Sequence, residues 1–413
     1  MPEKEEDMQE EKPLPWTVEP LFVGRQPVFN AKKRLQGYEL FYRSDEESAG
    51  AVFSNPEDAT LSVIQASYVS PFLNMKGEKF IMVNFSYEAI VHNAPYALPP
   101  QNTIVKITGH TPGGHELEQA LAELKKDGYR IAVDGKPGEI SRWRDLADIF
   151  ILDAGVAGEG LQEIDTSDVA VMAKRIEDVE TFQKLQEKNI SYFQGYFFKR
   201  PETLKGANLS THQIMRLKIF QVLQQEEPDL DELASLLEKE VSLTYRLLRY
   251  VNSASFGMLT PIKTIRRALT YVGFKNLRTF LQLCLLRDVT PQSKPSELPF
   301  AAALMGRFLE LMVFPTKDEW PQPDALFMLG LLSLLDAVFD MPMENVVQDL
   351  PIDEDIKKAL CREESFYLPW LDLAIAFEKG DWENVDALIS QLGLHPRKVA
   401  MSYSWAMGWA RDF

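Results

Sequence analysis

The chain is poor in the residues that usually mark a function. Only Cys284 and Cys361 occur among 413 residues, which excludes a disulfide framework and a cysteine zinc site and suits a reducing compartment. Histidine is also scarce, at five residues. His212 and His395 have no metal-ligand partner at helical spacing, which points to surface or capping roles. Positive charge is in deficit: 44 Lys and Arg against 61 Asp and Glu leave a net charge of −17. That balance argues against broad binding to nucleic acid or to an anionic membrane. No apolar run is long; the longest, Leu326 to Leu335, is too short to cross a bilayer. The opening MPEKEEDMQEEKPLP lacks the charged-then-apolar pattern of a secretion signal. These absences predict a cytoplasmic protein with no membrane insertion.

What is present is an ordinary globular composition, 45% hydrophobic and 25% charged, long enough for two domains. Residues 1–20 hold seven acids and two bases and read as a disordered acidic tail. Val23 to Arg43 has a hairpin pattern, with a polar loop at Asn30 to Lys33 and Gly37 entering the second strand. Alternation puts Glu39, Phe41 and Arg43 on one face and Tyr38, Leu40 and Tyr42 on the other. Strand-like runs follow at 80–85, 103–108, 130–134, 149–153, 169–173 and 192–196. Amphipathic segments lie between them at 59–72, 116–126 and 179–188. Strand and helix alternating at this spacing predict a parallel, abridged (β/α) barrel over residues 21–203, with an open doubly wound sheet as the runner-up. From residue 204 to 413 the periodicity is helical throughout, which predicts an all-helical second domain.

In a barrel, chemistry sits at the C-terminal strand ends. The polar residues placed there are Asn84, Lys106, Thr108, Asp134, Asp153, Lys174 and Gln194, joined by Glu39. This set resembles the EAL family of cyclic di-GMP phosphodiesterases. Glu39-Leu40-Phe41-Tyr42-Arg43 is similar to the Glu-Ala-Leu-x-Arg motif, Val83-Asn84-Phe85 to the Asn-bearing strand, and Gln194-Gly195 to the late Gln-Gly signature. The resemblance implies a site for two divalent cations, with Glu39, Asn84 and Asp134 kept. It also implies losses. Lys106 stands for a metal-binding Glu, Gly135 for the second Asp of a pair, Ile151 for the catalytic Lys, and Lys174 for one of two late acids, of which Glu177 is the other. Two-metal phosphoester cleavage needs hard oxygen ligands for both ions. The expectation is therefore a vestigial site of Glu39, Arg43, Asn84, Lys106, Asp134, Asp153, Lys174, Glu177 and Gln194, with no metal, no cofactor and no catalytic residue.

Val251 to Gly257, with Asn252, Ser253, Ala254, Phe256 and Gly257, resembles the signature of HDOD domains, helical relatives of the HD phosphohydrolases. No His-Asp dipeptide occurs; Ser333 and Leu334 stand where one would fall. The eight Lys and Arg between Val241 and Arg287, with no acid among them, read as solvated helix faces. Barrel and helices together are similar to the bacterial EAL-HDOD signalling proteins of the YuxH type. That resemblance implies a non-catalytic scaffold, not an enzyme, that binds other signalling proteins. A receptor with weak cyclic di-GMP binding, or a residual phosphodiesterase, is the alternative.

Overall fold

The computed structural model describes residues 22–43, 79–157, 168–201, 211–225, 228–253, 256, 260–291, 293–313, 320–348, 350 and 352–411. The acidic stretch 1–20, the helical pattern at 59–72 and the junction at 202–210 lie outside them.

The first half is a closed barrel of eight strands in sequential order. They are β1 (Phe22–Phe29), β2 (Leu35–Arg43), β3 (Phe80–Asn84), β4 (Thr103–Thr108), β5 (Arg130–Asp134), β6 (Ile149–Asp153), β7 (Ala170–Ile176) and β8 (Tyr192–Gly195). The strands from β2 to β8 run parallel, while β1 is antiparallel to both of its neighbours. Closure through β1 and β8 rules out the open sheet. The hairpin forms because Asn30 Oδ1 accepts from the backbone amides of Lys32 and Arg34 at 2.9 and 3.0 Å. This is the local turn chemistry expected of Asn.

Strand alternation divides the barrel into two environments. Outward residues such as Ile81, Val105, Ile131, Phe150 and Val171 are buried against helices that include His115–Lys126 and Val179–Gln186. Inward residues Val28, Phe80, Met82, Ile104, Ala132, Ile149, Ile151 and Met172 fill the barrel floor as a separate apolar cluster. Ile151 is therefore a floor residue, below the mouth.

The second half is helical, and none of its described helices is long and apolar enough to cross a membrane. At its centre Glu297–Met312 crosses Pro323–Leu332 at two glycines. A Cβ on Gly330 would lie 2.4 Å from the amide nitrogen of Gly306, so only glycine permits that approach.

The two halves meet through paired charges that are out of water. Tyr38 donates its hydroxyl to both carboxylate oxygens of Glu297 at 3.0 and 2.9 Å. Arg25 pairs with Glu297 at 3.3 Å and lies over the rings of Tyr38 and Phe300 at 4.1 and 4.4 Å. Burial, and then the Glu297 charge, push the Tyr38 hydroxyl well above its ordinary value, so it stays a neutral donor. Lys199 bridges to Glu378 at 2.6 Å beside these groups.

Removing one member of a buried pair strands the others. Glu297→Ala, which leaves Arg25 and Tyr38 without their acceptor, is expected to destabilise the chain by about 3 kcal/mol in chemical denaturation. Tyr38→Phe, which removes one hydrogen bond, should cost about 1–2 kcal/mol. A loss below about 0.5 kcal/mol for Glu297→Ala would show that the contact does not hold the halves together.

Asp336 gives a pH test of the helical half. Burial raises its carboxyl to about 6, against the pull of its Ala337 amide hydrogen bond and of Arg200. The folded value lies above the unfolded one, so the stability from the neutral acid is full below about pH 4 and is lost as pH rises through 6. Asp336→Asn should therefore raise the melting temperature more at pH 8 than at pH 5. An equal gain at both pH values would contradict this assignment.

Candidate active site at the barrel mouth

One step above the apolar floor, the inward strand positions become polar. Glu39 on β2, Asn84 on β3, Lys106 on β4, Asp134 on β5, Asp153 on β6, Lys174 on β7 and Gln194 on β8 all occupy this level. From β3 to β8 each shares the parity of the floor residue two places before it on its own strand, which is why residues far apart in sequence converge.

The contacts form a chain of alternating charge. Gln194 donates to Glu39 Oε2 at 2.8 Å. Lys106 Nζ lies 2.6 Å from Glu39 Oε1 and 2.8 Å from Asp134 Oδ2. Lys174 Nζ takes Asp134 Oδ1 at 2.6 Å and stands 3.9 Å from Asp153 Oδ1. Arg175 Nη1 closes the series at 3.5 Å from Asp153 Oδ2. Burial alone would raise Asp134, but Lys106 and then Lys174 outweigh it and hold the carboxyl below its ordinary range. Burial would likewise lower Lys106, yet Glu39 and Asp134 carry it above its ordinary value. Both groups are therefore charged at neutral pH.

Exposure grades across the mouth. Glu39, Lys106 and Asp134 are largely buried, whereas the Asp153 and Arg175 side chains are 43% and 74% exposed. Asn84 faces solvent at the end of its strand. Asp153 Oδ1 has no hydrogen-bond partner among the described residues, although the atom itself is shielded from water.

Arg175 does not appear in the site expected from sequence. Strict alternation on β7 would turn it away from the mouth. The pairing of β7 with β8 instead shifts register between Ala173 and Ile176, and Arg175 adopts a left-handed φ of 59°. This bulge redirects the side chain. Opposite it, a Cβ on Gly195 would lie 2.1 Å from the Ile176 carbonyl oxygen, which accounts for the glycine of the Gln-Gly pair. The doublet Lys174-Arg175 was the available signal, but the bulge that makes it useful is a tertiary feature.

Glu177 is not brought into the cluster. It is exposed past the end of β7, where its charge adds to burial in raising the Tyr196 hydroxyl. The backbone of Arg43 ends β2, and its side chain lies outside the described residues.

The residues do not fit the divalent pair that the EAL resemblance implies. The Glu39 and Asp134 oxygens that would ligate a cation are taken by ammonium groups at 2.6–2.8 Å. Among the described residues no group of three or more His, Cys, Asp or Glu is placed to hold a metal. At position 135 a Cβ would meet Glu139 Oε2 at 2.9 Å and Ile140 Cγ2 at 3.2 Å, so there is little room for a second acid.

In the helical half Asn252 is a loop clamp. It donates to the carbonyls of Leu248 and Ile262 at 2.7 and 2.8 Å and accepts from the Ile262 amide at 2.7 Å. Ser253 turns back to Tyr250 through its amide at 3.0 Å, and Phe256 packs edge-on to Tyr250, which stacks on Phe280. Ala254 and Gly257 lie outside the described residues. Ser333 donates to the Gly330 carbonyl at 2.7 Å and faces the Met305 sulfur, an arrangement with no catalytic partner. Of the basic residues between 241 and 287, Arg246 pairs with Asp288 and Arg266 with Asp231.

Comparison with known proteins gives an HDOD domain match over residues 209–335. The chain is 29% identical over 411 residues to the cyclic di-GMP phosphodiesterase CdgJ of Vibrio cholerae, covering 97% of this chain and 95% of that protein. It is 26% identical over 391 residues to the Bacillus subtilis protein YuxH, covering 90% and 94%. Among solved structures, it is similar to Bacillus subtilis YkuI, which has an EAL domain and is in complex with c-di-GMP and calcium. That match has a TM-score of 0.37 and 18% identity over 62% of this chain and 72% of that one. The Klebsiella pneumoniae BlrP1 calcium/c-di-GMP complex gives a TM-score of 0.37 and 17% identity over 46% and 58%.

The first of these relatives overturns the expectation that the chain is not an enzyme. That expectation equated the loss of metal ligands at Lys106 and Gly135, and of the Lys at Ile151, with the loss of activity. A relative that aligns along nearly the whole chain is named a phosphodiesterase. With a closed barrel followed by an HDOD domain, and with relatives matched along nearly its full length, the chain has the EAL-HDOD architecture.

Proposed function

We propose that this chain acts on cyclic di-GMP at the barrel mouth, as a phosphodiesterase. The observation that carries the reading is the alignment, over 97% of the chain, with a protein named for that activity. The chemistry of the mouth supports it. Asn84, Lys174 and Arg175 offer an amide, an ammonium and a guanidinium at the open side of the cluster, the donors that phosphate oxygens take. Asp153, whose side chain is partly open to solvent, is the carboxylate that can take a proton from water. Hydrolysis then forms one bond from the water oxygen to phosphorus and breaks one from phosphorus to a ribose oxygen. The water proton passes to Asp153, and the leaving oxygen takes a proton from Lys174. Glu39, held by Lys106 and Gln194, is a positioning residue beneath this step.

The same reading places the protein in the cytoplasm, which suits its two free thiols. Other signalling proteins are its partners, through the HDOD half.

Purified full-length protein should convert cyclic di-GMP to the linear dinucleotide, followed by chromatography. Asp153→Asn should lower kcat by about 10²–10⁴-fold while calorimetric affinity for the nucleotide stays within a few-fold of wild type. Arg175→Ala should act the other way, weakening binding more than turnover. Wild type that neither converts nor binds cyclic di-GMP, with or without divalent cations, would sink the proposal.

A further inference from the structure

The two lysines of the mouth have a joint geometry that the loss of metal ligands alone does not account for. Lys106 on β4 joins carboxylates from β2 and β5, and Lys174 on β7 joins carboxylates from β5 and β6. Each lysine thus bridges to one neighbouring strand and to one strand further round the barrel. Both ammonium groups share Asp134: Lys174 contacts both of its oxygens, at 2.6 and 2.8 Å, and Lys106 contacts one of them, at 2.8 Å. An ammonium has three donors in a compact point charge. Its 2.6–2.8 Å contacts here are only slightly longer than the 2.0–2.6 Å spacing of a hard cation to oxygen.

We infer that Lys106 and Lys174 are built-in cations, which neutralise and cross-link the mouth carboxylates so that the barrel mouth holds together without divalent metal. The metal site is latent beneath them. A divalent ion among the same oxygens is repelled by the ammonium beside it, so metal and lysine exclude each other. Without the lysines, Glu39 and Asp134 lose the counter-charge they share, and Asp153 keeps only Arg175. The inference concerns the same mouth as the proposed activity, but it stands on geometry and does not need the nucleotide.

The test uses full-length protein and Mn²⁺ as the probe, read by electron paramagnetic resonance and by thermal melting. Wild type should bind no Mn²⁺ that depends on Glu39, and should melt at the same temperature in chelator and in Mn²⁺. Lys106→Met/Lys174→Met should melt lower in chelator, by roughly 5 °C or more. It should regain stability in Mn²⁺ and show a bound-ion signal that a further Glu39→Gln removes. Mn²⁺ bound to wild type and lost in Glu39→Gln overturns the inference, as does a double variant that melts like wild type in chelator. If the double variant does not fold, the wild-type measurement still decides. Cyclic di-GMP turnover that requires metal would overturn this inference while upholding the proposed activity; absence of turnover and binding would do the reverse.

Discussion

The ammonium of Lys106, set between Glu39 at 2.6 Å and Asp134 at 2.8 Å, is the contact on which the barrel mouth depends. Two carboxylates held this close would otherwise repel, and each loses hydration on burial. The chain meets that cost by extension. Lys174 takes both oxygens of Asp134 and approaches Asp153, Arg175 reaches the far side of Asp153, and Gln194 occupies the second oxygen of Glu39. The result ties β2 and the strands from β4 to β8 into one network at the level where the apolar floor stops. A buried network is stabilising only when its members are satisfied. The chain of contacts ends at the open edge of the mouth, at the partly exposed Asp153 and Arg175.

A second consequence follows from strand alternation on β2. Tyr38 points out of the barrel to Glu297 of the helical half, while its neighbour Glu39 points inward to Lys106. A single peptide therefore links the interface with the mouth. On β1, Arg25 meets the same Glu297, and its neighbour Gln26 is paired in register with Glu39. The helical half thus grips the barrel at the hairpin that carries the site.

Much of this was legible in the sequence, because period two and period 3.6 are local signals. The strands at Thr103–Thr108, Arg130–Asp134 and Ile149–Asp153 fall where alternation puts them, and their last inward residues are Thr108 or Lys106, Asp134 and Asp153. The EAL resemblance, in which Lys106 stands for a metal-binding Glu, implied its proximity to Glu39. What was not legible is tertiary. Closure depends on β1 pairing antiparallel with β8, which no local pattern encodes. Arg175 enters the mouth through a bulge set by Gly195 across the sheet. Tyr38 and Glu297 lie 259 residues apart, and each reads alone as an ordinary strand or helix residue. Activity was misread for a different reason: an inventory of lost ligands does not say what the replacing charges do.

The most direct test of the account is anomalous scattering from crystals of the full-length protein soaked in Mn²⁺. The account predicts no manganese peak among Glu39, Asn84 and Asp134, with the Lys106 nitrogen within hydrogen-bond distance of both carboxylates. A peak roughly 2.2 Å from the Glu39 and Asp134 oxygens, with Lys106 swung out of the mouth, would contradict it.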